Sequence, residues 1–354
     1  AVHAGVSAVL WEREGYQWNE AVDVPNVPVF GLAHLSGYIA DEFYGRPSQA
    51  LWTVGVTGTN GKTSVTQWLA RAYAQLGRRC GLIGTLGIGF PGQLSATLNT
   101  TPDALTVHRA LADIRDQGGQ AVAMEVSSIG LDQARLNGVR IDVAVFTNLT
   151  RDHLDYHGTM EAYGEAKARL FAMPGLRSAV LNLDDRFGME QARSLAGSGV
   201  EVIGYTVIPS NRDAAPAQRV LVAENLTITP VGLRFTARCG NVSADLFANV
   251  VGRFNASNLL AVIATLMASG IPFEDACKVA EGLTPPQGRM QTLGGVGDPL
   301  VVVDYAHSPD ALEQVLRAVR PTAEARGGSL TCVFGCGGDR DPGKRPLMGE
   351  VARR

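Results

Sequence analysis

The stretch Trp52-Thr53-Val54-Gly55-Val56-Thr57-Gly58-Thr59-Asn60-Gly61-Lys62-Thr63-Ser64 constrains this chain more than any other. Three β-formers lead into glycines at 55, 58 and 61. The residues beyond place apolar side chains at Val65, Trp68 or Leu69, Ala72 or Tyr73 and Leu76, with Gly77 as the stop. A strand, a glycine turn and a helix start therefore follow one another directly. That layout is a phosphate cradle. Gly58, Thr59, Asn60 and Gly61 bring backbone N–H groups against a polyphosphate, and the helix start at Lys62, Thr63 and Ser64 favours its charge. Lys62 reaches the terminal phosphates and the Thr63 hydroxyl can ligate Mg²⁺. The expected ligand is a nucleoside triphosphate. The general pattern G-x-x-x-x-G-K-S/T asks for glycine at 56, where Val56 stands, so a plain glycine-rich turn with a solvated lysine is the competing reading.

A chain of 354 residues has room for two or three domains. Apolar residues at 45% and charged residues at 18% are ordinary for a soluble globular protein, and a net charge of −3 gives no footprint for nucleic acid or an anionic membrane. The five cysteines, Cys80, Cys239, Cys277, Cys332 and Cys336, form no C-x-x-C pair and read as reduced core residues of a cytoplasmic protein. No run approaches the ~20 apolar residues of a membrane span, and the N-terminus lacks the order of a signal peptide. Both ends read as cut, the chain stopping at Arg354 inside a helix begun near Arg345.

Residues 1–47 read as short apolar runs followed by a helix over Leu32–Phe43, a remnant of an N-terminal domain or a lead-in to the next one. From 48 to 283 strands and helices alternate. Strands are expected at Cys80–Gly84, 121–126, 143–147 and 179–183, and helices at 103–117 and 160–173, with a glycine-rich turn running to Gly92. This implies an α/β fold with a mostly parallel sheet covered by helices on both faces. Between 202 and 248 the runs shorten into a small antiparallel patch, and a helix over 256–269 is expected with Asn255 as its cap. Pro285-Pro286-Gln287-Gly288 marks a boundary near 284. The strand Leu300–Val303, a helix over 310–319 and a strand over 330–334 then open a second, incomplete Rossmann-like α/β domain, residues 284–354.

In parallel sheets ligands sit past the carboxyl ends of strands, and the polar residues found there divide between chemistry and plainer roles. Glu125 ends an apolar strand and can hold Mg²⁺, or pair with a lysine. His153 and His157 stand four apart without the glutamate of H-E-x-x-H, so His153 reads as a metal or phosphate contact at the nucleotide site, or as a loop histidine bonded to backbone. Lys167, in a helix between Ala166 and Ala168, reads on position alone as a solvated surface charge. Asn99, Thr100 and Thr101 precede a helix start, where they suit an anionic or carbonyl-rich substrate or simply cap the helix. Gln133 and Arg135 past Ser127 could clamp a carboxylate or lie exposed.

Taken together and in order, the segments Gly58-Thr59-Asn60-Gly61-Lys62-Thr63, Leu98-Asn99-Thr100-Thr101-Pro102, Met124-Glu125-Val126-Ser127-Ser128, Thr147-Asn148-Leu149 through Asp152-His153-Leu154-Asp155-Tyr156-His157-Gly158, Asp304-Tyr305-Ala306-His307 and Gly335-Cys336-Gly337-Gly338-Asp339-Arg340-Asp341 resemble the Mur ligases. The likeness is greatest to the branch that adds the third amino acid. The phosphate loop alone would also fit folylpolyglutamate and cyanophycin synthetases, and a nucleotide-binding fragment without ligase activity is a further reading. The resemblance, over residues 45–354, implies a cytoplasmic, monomeric, ATP-dependent ligase of peptidoglycan synthesis. It implies UDP-N-acetylmuramoyl-dipeptide and a free amino acid as partners, and an acyl phosphate on the D-glutamate as intermediate. ATP would lie on residues 58–64 with Asn255, Arg289 and Asp304. Asn99, Thr100, Thr101, Ser127, Gln133 and Arg135 would hold the UDP-muramoyl-dipeptide, and Arg340 the incoming amino acid. Thr63, Glu125 and His153 would surround Mg²⁺, and Lys167 would carry a CO₂-derived carbamate on a second Mg²⁺. The family's amino-acid-selecting Asp-Asn-Pro-Arg segment would lie beyond Arg354, and Ile129 stands where the family often has histidine. Gly343-Lys344-Arg345-Pro346-Leu347-Met348-Gly349 resembles the meso-diaminopimelate-adding enzymes more than the lysine-adding ones.

Overall fold

Runs of small and β-branched residues with no polar alternation build the centre of the molecule, because strands buried on both faces need no polar side. The structure, a computed structural model, describes residues 5–229, 232–295, 297–336 and 343–354. Strands β1 (Val9–Glu12) and β2 (Asn26–Val29) pair in parallel ahead of α1 (Leu32–Phe43). The central body runs through β3 (Trp52–Thr57), α2 (Lys62–Gln75), β4 (Cys80–Gly84), β5 (Gly87–Phe90), β6 (Gln93–Ser95), α3 (Ala104–Asp116), β7 (Ala121–Glu125) and α4 (Ser128–Asp132). It continues through β8 (Val143–Phe146), α5 (Leu154–His157), α6 (Met160–Ala168), β9 (Ser178–Asn182), α7 (Arg186–Ser194), β10 (Glu201–Thr206), β11 (Arg219–Thr229), β12 (Gly232–Cys239) and β13 (Val242–Ala248). The helices α8 (Arg253–Ala268) and α9 (Phe273–Glu281) close it.

These strands form one eleven-stranded sheet in the order β13-β12-β11-β10-β9-β8-β3-β7-β4-β5-β6. Pairing is parallel from β11 through β10, β9, β8, β3 and β7 to β4, and antiparallel at both flanks. Alternate side chains feed two cores. Val54, Val56 and Ala123 face α2 and α8, while Val122, Met124 and Ala144 face the α3 side. Helix α8 is buried on nearly every side from Ala256 to Met267, as befits a helix laid between sheet and neighbours. Among the described residues no helix is long and apolar enough to cross a membrane.

Beyond the central body, β14 (Gln291–Gly294) pairs antiparallel with β15 (Leu300–Val303), and α10 (Pro309–Ala325) and α11 (Lys344–Arg353) follow. Several local expectations need correction. Residues 330–334 form no strand: none of their backbone groups pairs with another described segment, and Val333 is exposed. Helix α10 runs past Pro321, held by buried Ala318, Val319 and Thr322. The glycine-rich turn before Gly92 is instead a β5–β6 hairpin, in which Gly87 and Gly89 take positive φ. The 160–173 helix tightens into a 3₁₀ turn at Arg169–Ala172. Asn255 is not a cap: α8 starts two residues earlier behind Gly252, and Asn255 sits in its first turn, donating to the Val251 carbonyl at 2.8 Å.

Candidate active site

The carboxyl ends of three adjacent strands, β8, β3 and β7, open on one edge, and their register sets the site. Val56 of β3 stands opposite both Glu125 and Val145, so the glycine loop, Glu125 and Thr147-Asn148 all emerge at one level. The loop is cross-braced. Asn60 N–H donates to Asn148 Oδ1 at 3.0 Å, Thr147 Oγ1 donates to Asn60 O at 2.6 Å, and Thr59 N–H donates to Asn148 O at 2.8 Å. Gly58 (φ +144°) and Gly61 (φ +91°) are required there. A Cβ at 58 would clash with Thr147 Oγ1, and one at 61 would lie 2.6 Å from Asn258 Oδ1. No side chain caps the start of α2, which leaves its first N–H groups for a ligand. A Gly58→Ala chain should accordingly lose about 1–3 kcal/mol of stability to backbone strain alone. Calorimetric melting would show the loss, and an unchanged Tm would contradict it.

Lys62 Nζ curls back on the loop, donating to the carbonyls of Gly58 at 2.8 Å and Thr59 at 2.9 Å, and burial pushes its pKa down. Thr63 Oγ1 donates to Glu125 Oε2 at 3.0 Å and accepts from Arg289 Nη2 at 3.1 Å. Glu125 is buried and is further held by Thr85, whose N–H donates to Oε1 at 2.8 Å and whose hydroxyl donates to Oε2 at 3.1 Å. Sequence reasoning missed Thr85, although it stands just past β4 where the strand-end rule would have found it. A hydroxyl and a carboxylate side by side are a hard-oxygen pair that suits Mg²⁺.

Lys167 is 1% exposed, which overturns its reading as a surface charge. Its Nζ donates to Gly58 O at 3.0 Å and lies 4.3 Å from the centre of the Tyr163 ring. Burial first, and the charge of Lys62 second, hold its pKa well below the usual lysine range. Tyr163, also missed, contacts Thr59 Oγ1 through its hydroxyl at 3.2 Å. His153 takes a left-handed backbone (φ +52°), with Nε2 3.6 Å from Asp152 Oδ2, and burial lowers its pKa. No hydrogen bond or ion pair joins it to Glu125. His157 turns Nε2 to Ser128 Oγ at 2.9 Å. Among the described residues no three histidine, cysteine or carboxylate side chains converge on one metal position.

The structure brings the remaining candidates into two groups. Thr101 Oγ1 donates to Glu125 O at 2.9 Å and accepts from Ser127 N–H at 2.9 Å. Arg135 Nη1 donates to Thr101 O at 2.6 Å and Nη2 to Gln133 Oε1 at 2.6 Å, while Thr100 Oγ1 lies 3.1 Å from Thr85 Oγ1. Ser127 caps α4 through Gly130 N–H at 3.0 Å. Asn99 lines a cavity of about 670 Å³ between the β5–β6 hairpin and α3. On the other side of the loop a cavity of about 270 Å³ is lined by Asn60, Gly61, Ser64, Asn255, Arg289 and Asp304 among others, so residues distant in sequence share one wall. Thr150 lines it too and buries Oγ1 without a partner. Arg289 stacks over Tyr305 at 4.8 Å, and burial raises the pKa of Asp304, which accepts from Met290 N–H at 2.8 Å. Arg340 lies outside the described residues.

A phosphate loop on a mostly parallel sheet, with a carboxylate and hydroxyl at its side and a cavity shared with a following α/β segment, defines a nucleotide-dependent α/β enzyme. The Mur ligase middle domain matches residues 56–266 and the Mur ligase glutamate ligase domain matches residues 288–354. Two relatives named UDP-N-acetylmuramoyl-L-alanyl-D-glutamate--2,6-diaminopimelate ligase, from Nitrosomonas europaea and Ectopseudomonas mendocina, are 48% and 52% identical. Each aligns with 100% of this chain, which spans 70% of their length. A solved structure of the same description superposes with a TM-score of 0.73 at 35% identity, over 95% of this chain and 67% of that one. The chain belongs to the Mur ligases, a family of ATP-dependent ligases.

Proposed function

We propose that this chain joins meso-diaminopimelate to the D-glutamate of UDP-N-acetylmuramoyl-L-alanyl-D-glutamate with ATP, in peptidoglycan synthesis. The observation that carries the reading is the 48% and 52% identity, along the whole of this chain, to ligases of that name, on a chain whose phosphate loop, Glu125 and Thr101–Arg135 cluster are hydrogen-bonded to one another. The γ-carboxylate of the D-glutamyl residue attacks the γ-phosphorus of ATP, the bond to the bridging oxygen breaks, and ADP leaves with that electron pair. The amine of diaminopimelate then attacks the acyl carbon, loses a proton and expels phosphate. Residues 58–64 bind the triphosphate, with Asn255, Arg289 and Asp304 on the facing wall. Lys62 leaves its two carbonyl partners to neutralise charge on the transferring group. Thr63 and Glu125 would hold Mg²⁺, with His153 as a further candidate contact, and the ion would screen the phosphate charge that would repel an incoming carboxylate.

Asn99, Thr100, Thr101, Ser127, Gln133 and Arg135 orient the UDP-dipeptide, and Arg340 receives the amino acid. Lys167 carries a carbamate, which replaces a cation beside Lys62 with an oxygen ligand. Three units underlie this: residues 1–47, 48–283 and 284–354. The enzyme acts as a cytoplasmic monomer, as the family resemblance implies, and without nucleic-acid or membrane partners, for which a net charge of −3 offers no electrostatic footprint. Phosphate release from ATP should require the UDP-dipeptide and meso-diaminopimelate together, and L-lysine should not replace the latter. Release with a folate or with L-lysine instead would refute the assignment.

A further inference from the structure

Asp41 on α1 and His108 on α3 meet in the seam between the N-terminal segment and the central body, away from the phosphate loop. His108 is fully buried and Asp41 is 9% exposed. His108 Nε2 lies 2.9 Å from the backbone carbonyl of Asn137, which can only accept, so Nε2 bears the ring proton. In the neutral ring Nδ1 is then a lone pair, and it faces Asp41 Oδ1 at 3.4 Å. An ionised carboxylate also only accepts. Both atoms are buried and neither has a hydrogen-bond partner. A single proton between them converts two opposed acceptors into a donor and an acceptor. Burial raises the Asp41 pKa and lowers that of His108, so the carboxyl is the natural holder of that proton.

The surrounding charges are otherwise engaged. Glu42, next on α1, is clasped by Arg46 at 2.5 Å. Arg115 of α3 donates to the Tyr44 carbonyl at 3.0 Å and pairs with Asp116. His34 of α1 lies beside Asn137 Nδ2, and Arg135 turns to Thr101 and Gln133. None of them donates to Asp41 Oδ1. The seam is also tight. Asn137 Nδ2 donates to His34 O at 3.0 Å, and a Cβ on Gly37 would clash with the Asn137 carbonyl, the group that fixes His108. Asn137 belongs to the segment that carries Gln133 and Arg135.

We propose that Asp41 and His108 share one proton, and that this proton latches α1 onto the central body and keeps segment 133–138 in place for the dipeptide substrate. Both are positioning residues, and the link to the substrate rests on the function proposed above. Asp41→Asn supplies a permanent N–H donor to Nδ1 in nearly the same volume. At alkaline pH, once the wild-type pair has lost its proton, the variant should melt roughly 2–4 °C higher. As pH falls and the wild-type pair takes up its proton, Nδ1 in the variant is already occupied, so the advantage should vanish or reverse. The ratio of wild-type to variant KM for the UDP-dipeptide should rise with pH while the kcat ratio stays flat. A Tm offset that is the same at every pH overturns the latch, and a flat KM ratio overturns its reach to the substrate. No turnover by either chain refutes the function instead, and the melting curves still decide the latch. Should Asp41→Asn not fold, the ¹⁵N shift of wild-type His108 decides: Nδ1 bare at alkaline pH and protonated or hydrogen-bonded at acidic pH supports sharing, and Nδ1 protonated throughout overturns it.

Discussion

A Lys62→Met chain is expected to fold and to lose ATP turnover by about 10²–10³-fold in kcat, the usual effect of removing one group that stabilises transition-state charge. The side chain supports little of the structure: its Nζ bonds only the Gly58 and Thr59 carbonyls, and methionine fills much the same space. The Gly58 carbonyl keeps Lys167 Nζ at 3.0 Å, and Thr59 itself remains tied to residues 148 and 150 through its N–H and Oγ1. The lysine is therefore poised to leave its carbonyls when phosphate draws it away. Steady-state phosphate release with a calorimetric melt on the same sample separates the effects. A normal kcat would remove Lys62 from the mechanism, and a collapsed Tm would show that the loop needs its ammonium to fold.

The fold was legible where periodicity is strong and local. Leu32–Phe43 and Cys80–Gly84 are bounded as the sequence implies, and the strand-end rule led to Glu125 because β7 is buried from Ala121 to Glu125. Legibility failed where partners far along the chain decide. The segment 330–334 has strand composition but no described neighbour to pair with, and Asn255 has the chemistry of a cap but is overtaken by a helix that begins behind Gly252. Lys167 shows the limit most sharply. A lysine between two alanines on a helix is ordinarily solvated, and only the tertiary position of α6 against the phosphate loop buries it. Family resemblance pointed to it and composition did not. Tyr163 was missed for a related reason, since its hydroxyl matters through Thr59, far from it in sequence, whereas Thr85 was within reach of the strand-end rule and was passed over.

Removing CO₂ should switch the enzyme off reversibly. An amine adds CO₂ only when neutral: the nitrogen lone pair forms the new N–C bond, the nitrogen gives up a proton, and a carbamate anion results. Lys167 meets that condition, because burial and the neighbouring Lys62 hold its pKa well below the ordinary value, leaving the amine free to react above its own pKa and protonated as pH falls through it. Geometry adds a reason for the change of charge. Two lysines donate to the same Gly58 carbonyl, and an anion at one of them relieves the repulsion that the uncarbamylated pair suffers whenever both are charged. Chain stripped of CO₂ should therefore lose most of its phosphate release and regain it on adding bicarbonate, and Lys167→Ala should fall about 10²–10³-fold with no such recovery. Incubation with ¹³C-bicarbonate should give one carbamate resonance in the wild type and none in the variant, a readout that does not depend on turnover. If the resonance is absent from an active wild-type chain, the lysine works as the amine. Its low pKa would then serve to keep a second positive charge away from Lys62.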